Sequence, residues 1–164
     1  ITCRDWSSDV CSSDLYGPKQ FKLGSEDLDA ERVAERLHTL RRNLGTALSA
    51  SEFADILRRA YTRVGAAAGE KVRLFDILAE VAILLQPAAF RIAPEPQNFR
   101  PYRAYDLSFD LYNLRLGEKP ADLRVITATR AVTDKKTGSL WVPLAEDVDQ
   151  GEHLSELQFL EVVK

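Results

Sequence analysis

The sequence predicts an α+β fold in which a three-helix N-terminal part precedes an antiparallel sheet of about four strands. Three observations predict it. Apolar residues between 25 and 86 recur at helical spacing, residues 87–103 are rich in proline, and beyond 104 the apolar period falls to two. At 164 residues, 45% hydrophobic and 29% charged, the chain has ordinary globular composition and suffices for one domain or two small ones. A formal charge of −3 gives a polyanion little long-range attraction. No apolar run approaches the ~18 residues that a membrane span requires.

Residues 1–15 are set aside first. Asp5 to Leu15 reads DWSSDVCSSDL, which resembles the translation of a short-read sequencing adapter, so this segment is expected to be disordered and outside the fold. The remainder holds 21 basic and 22 acidic groups, net −1, and loses both Cys3 and Cys11. Without them, thiol catalysis, thiolate metal sites and disulfides are excluded for residues 16–164. The chain has no methionine and stops at Lys164 in mid-pattern, so it reads as a piece of a longer frame whose compartment is left open. Fifteen arginines against 7 lysines, with 19 alanines, suit a GC-rich bacterium.

The helical part is residues 16–86. Its first helix follows Gly24, with Ser25 as cap, Glu26, Asp27 and Asp29 at the positive end, and Val33, Leu37, Leu40 and Leu44 on one face. Gly45 suits a left-handed stop. Ser49 and Glu52 form a capping box for the second helix, whose apolar face is Phe53, Ile56, Leu57, Ala60, Tyr61 and Val64. A third helix is expected from about Glu70 to Gln86, ended by Pro87 and buried on most sides. Residues 87–103, with Pro87, Pro94, Pro96 and Pro101, read as an extended connector.

Residues 104–164 are expected to be the β part. Tyr105, Leu107, Phe109 and Leu111 alternate with Asp106, Ser108 and Asp110, the pattern of a strand with one solvated face. Leu123–Thr133 reads as a second strand, Asp134–Gly138 as a hairpin turn, Leu140–Leu144 as the return and Ser155–Val163 as the last strand. Such a sheet could lie on the helices. The stop at Lys164 favours instead a truncated immunoglobulin-like sandwich, which needs about seven strands.

No catalytic residue is assigned. His38 and His153 lie far apart in sequence, with no nucleophile elbow or His-Glu-x-x-His helix to serve them. On a strand, Asp106 and Asp110 would stand ~13 Å apart, too far for a glycosidase pair at roughly 5–9.5 Å. Gly117-Glu118-Lys119 lacks the rest of a P-loop.

Two constellations remain. In Phe99-Arg100-Pro101-Tyr102-Arg103-Ala104-Tyr105, basic and aromatic residues interleave as in single-strand nucleic-acid platforms. Arg58, Arg59 and Arg63 would extend that track to give a site of Arg58, Arg59, Arg63, Arg100, Tyr102 and Arg103. In the acidic run 146–152, Asp147, Asp149 and Glu152 offer hard oxygen ligands around Gly151, as a weak calcium loop would; no other cofactor is indicated. The leading expectation is a non-catalytic binding or scaffolding module with a protein partner. Its contact surfaces would be the solvated strand face and a sheet edge open to strand addition. The alternative is a nucleic-acid-binding domain using the arginine/aromatic segment.

Overall fold

The computed structural model describes residues 14–16, 21–22, 30–117, 119–133, 138–144 and 150–161. Asp147 and Asp149, expected as calcium ligands, the expected cap at Ser25 and most of the expected turn at 134–138 therefore lie outside the described residues. Asp14 and Leu15, expected outside the fold, belong to a short strand β1 (Asp14–Tyr16) that pairs with β2 (Phe21–Lys22).

Two of the expected helices form much as read. Helix α1 spans Ala30–Asn43 and is followed by Gly45 at φ 74°, the left-handed stop. Helix α2 (Ala50–Arg63) carries the capping box: Glu52 N–H donates to Ser49 Oγ at 3.3 Å, and Ser49 N–H donates to Glu52 Oε2 at 2.9 Å. Its inner face buries Phe53, Ala54, Leu57, Ala60 and Tyr61, and full burial of one such leucine is worth about 1.5–3 kcal/mol.

The third helix starts later than expected. Val72–Arg73 form strand β3, and helix α3 runs Leu74–Leu84. Tertiary bonds explain the delay: Gly69 N–H donates to Phe159 C=O at 2.7 Å, and Tyr61 Oη donates to the carbonyls of Ala67 and Glu70. The chain is thus tied to a distant strand before a helix can begin. After Pro87 the connector holds a short helix α4 (Ala88–Ile92) and a 3-10 turn at Pro96–Asn98, where extended chain was expected.

The largest correction concerns residues 105–111. They are not a strand with a wet face but lie within helix α5, Ala104–Leu116. Leu107, Leu111 and Leu114 fall at i, i+4 and i+7 and line one buried stripe. Asp106, Ser108 and Asp110 are buried as well, at 6%, 0% and 4% exposure. The alternation misleads because its polar members face protein, not water.

The rest of the sheet is β4 (Leu123–Thr127), β5 (Leu140–Pro143) and β6 (Gly151–Phe159), with a turn of helix α6 at Arg130–Thr133 where more strand was expected. The strands form an open antiparallel sheet in the order β3–β6–β4, with β5 also on β6. Since β4 covers one edge of β6 from Leu154 to Phe159, β3 and β5 must share the other edge end to end. The expected β4–β5 hairpin is therefore a crossover from one side of β6 to the other.

One core joins both halves of the chain. Phe53, Leu57, Tyr61, Ile77 and Val81 from the helices pack with Leu107, Leu123, Leu140, Leu154, Leu157 and Phe159. The apolar face of the sheet rests on α2, α3 and α5, the place a sandwich gives to a second sheet. The fold is α+β, and among the described residues no helix is long and apolar enough to cross a membrane.

Candidate functional site

The first two turns of α5 tie two loops together. Helical spacing puts Asp106 and Asp110 on one face, and both carboxylates are spent on protein donors. Asp106 Oδ1 accepts from Gly45 N–H at 3.1 Å and Oδ2 from Arg103 N–H at 2.8 Å. Asp110 Oδ1 accepts from Thr46 N–H at 3.0 Å and Thr46 Oγ1 at 3.2 Å, while Oδ2 accepts from Tyr102 Oη at 2.8 Å. Gly45 comes so close that a Cβ there would sit 2.5 Å from Asp110 Oδ1. Burial raises the pKa of both carboxyls, against the lowering effect of these hydrogen bonds. Burial, with Asp110 beside it, pushes Tyr102 well above its ordinary value.

A third buried polar group fixes the same connector from α3. Gln86, 4% exposed, accepts from Arg100 N–H at 2.9 Å and donates to Arg100 C=O at 2.9 Å. Gln86 and Asp106 thus hold the backbone at Arg100 and Arg103, and Asp110 holds the Tyr102 side chain between them. What this backbone displays is basic and aromatic. Phe99 is 40% exposed, with its ring 5.5 Å from Phe90 in an edge-on pair, and Ile92 is 85% exposed. Arg100 and Arg103 are exposed, and the Arg103 guanidinium stands 5.7 Å from the Tyr105 ring centre. Neither has a carboxylate within ion-pair distance among the described residues.

The six residues of the arginine/aromatic reading therefore have different surroundings. Arg58 makes a two-pronged bond to Asp122, at 2.6 and 3.1 Å, reaches Glu161 C=O, and covers the Phe159 ring at 4.5 Å. Arg63 pairs with Glu80 at 2.5 Å. Tyr102 points inward to Asp110, while Arg59, Arg100 and Arg103 face solvent. Of the three residues expected as calcium ligands, the described one is Glu152, whose carboxylate is held by Arg115 and by Thr127 Oγ1. Gly151 serves as a platform for Trp141, whose ring a Cβ there would meet at 2.2 Å.

One juxtaposition had no sequence signal that linked its members. Ser139 Oγ, one residue before β5, lies 3.1 Å from His153 Nδ1 on β6. Among the described residues no carboxylate bonds the other ring nitrogen, so the pair lacks the orienting acid of a triad. The cleft lined by Leu74, Phe75, Leu78, Leu107 and Leu140 has no room for a water molecule.

No family model, curated protein or solved structure matches this chain.

Proposed function

We propose that this chain is a non-catalytic binding or scaffolding module that takes a protein partner on the connector face. One observation carries the reading: buried Gln86 and Asp106 bond the connector backbone at Arg100 and Arg103, and Asp110 anchors the Tyr102 side chain, while Phe99, Arg100 and Arg103 are exposed. A fixed backbone lowers the entropy lost on binding. Aromatic and arginine side chains are those that most often dominate interface energy. The groups that would suit acid–base work, Asp106 and Asp110, are engaged instead as acceptors for Gly45, Arg103, Thr46 and Tyr102. The complementary partner segment is acidic, with an apolar or aromatic anchor to lie on Phe99 and Ile92.

A second reading, single-stranded nucleic acid, is favoured by the exposed Phe99 ring beside Arg100 and by Arg103 over Tyr105. It draws less support from Arg58 and Arg63, whose charges are already paired. Titration with acidic-aromatic peptides and with labelled single-stranded oligonucleotides separates the two. The proposal expects peptide binding that Arg100→Ala with Arg103→Ala abolishes. Peptide binding indifferent to that double change removes the connector face. Micromolar, steeply salt-dependent oligonucleotide binding lost in the same variant puts nucleic acid in the protein's place.

A further inference from the structure

We propose that the open edge of β4 pairs, antiparallel and about a two-fold axis at Val125, with β4 of a second copy of this chain. Strand β4 ends the sheet on its side, and its outer edge is unpaired among the described residues. The ladder fixes which groups point outward. Asp122 C=O accepts from Leu160 N–H at 2.9 Å, and Ala128 N–H donates to His153 C=O at 2.7 Å. Even-numbered residues of β4 therefore bond inward to β6, and Leu123, Val125 and Thr127 face away from it. Leu123 N–H is already donated to Pro120 C=O, at 3.1 Å.

A two-fold axis at Val125 uses what remains. Each Val125 exchanges both backbone bonds with Val125 of the second copy, and Thr127 N–H reaches Leu123 C=O across the axis. The one outward N–H already engaged, that of Leu123, can keep its internal bond. No proline or lysine guards Leu123–Thr127.

Charge complementarity selects a second copy as the occupant. Arg124 and Ile126 share the sheet face away from the core, cross-strand from Gln158 and Glu156 respectively. Neither Arg124 nor Glu156 has an ion-pair partner among the described residues. In the two-fold register Arg124 stands opposite Ile126 of the second copy, one strand short of that copy's Glu156. Two strand spacings are about 10 Å, a gap that an arginine and a glutamate side chain span together. Like charges never stand opposite each other. On the core face, half-buried Val125 meets its own copy and extends the apolar layer.

The test is sedimentation equilibrium of the full chain, with reductant present because of Cys3 and Cys11. Loadings from about 10 µM to about 1 mM cover the weak association of an interface well below ~1,200 Å². The expected result is a monomer–dimer equilibrium that weakens with salt. Val125→Pro removes an outward N–H and no ladder bond, so it abolishes the dimer while the monomer, short of some Val125 packing, keeps a single cooperative melt. Arg124→Glu weakens the dimer about tenfold, and adding Glu156→Arg restores it. A monomer at every loading in low salt overturns the proposal. So does a dimer that survives Val125→Pro, or one that the charge swap fails to restore.

Discussion

Asp110 shows how one side chain can be both costly and necessary. Its carboxylate satisfies Thr46 and Tyr102 in a site that is 4% exposed, and burial raises its pKa. Removing the acceptor strands a backbone N–H and a phenol, so Asp110→Ala should destabilise by about 1–3 kcal/mol. Asp110→Asn keeps an acceptor for Thr46 and offers Tyr102 a donor, so it should lose far less. The pH dependence has a definite sign. A carboxyl whose folded pKa is raised contributes most below its unfolded value near 3.9, and that contribution is lost as pH rises through the raised value. Urea unfolding at pH 4 and pH 7 should therefore show Asp110→Asn gaining on the parent chain toward neutral pH. A gain toward acid instead would mean that the hydrogen bonds outweigh burial. At Gly151 the constraint is space: Gly151→Ala drives a methyl into the Trp141 ring. A loss of roughly 1–3 kcal/mol and a changed near-UV signal from Trp141 are expected.

At the scale of elements, α2 is the simplest case, because its signals are local. The Ser49/Glu52 box lies within one turn, and Ser49→Ala should cost about 1 kcal/mol in thermal or urea unfolding. This helix, the Gly45 stop and the strands near 123–127 and 140–143 were legible because neighbouring residues determine them. Helix α5 was not. Its alternation of Asp106, Ser108 and Asp110 with apolar residues is a strand's pattern only if the polar residues meet water. They meet Gly45, Thr46, Tyr102, Arg103 and the Trp141 carbonyl instead, all supplied by the tertiary fold. β3 was hidden for a related reason: two residues become a strand because Leu157 and Glu156, some eighty positions away, lie beside them. The candidate site was half legible. Arg100 and Arg103 were in view from the motif, but Gln86, which holds the backbone at Arg100, carried no mark in the sequence.

For the whole molecule the decisive element is β6, which pairs with β3, β4 and β5. β3 comes from the helical stretch of the chain and β4 and β5 from the later one, so the sheet cannot be completed by either stretch alone. Leu157 lies where these elements meet: it is 0% exposed, cross-strand from both Val72 and Val125, and in the core shared with α2 and α3. A core shared in this way should melt as one unit. Urea unfolding of a Trp6→Phe variant, followed by helical circular dichroism and by Trp141 fluorescence, is expected to give a single midpoint. Leu157→Ala should move both signals together by about 2–5 kcal/mol. If the helical signal survived the loss of the tryptophan signal, the helices would be stable without β6. In that case the bonds from Gly69 and Arg58 to the sheet end at Phe159 and Asp122 would be contacts between separable parts.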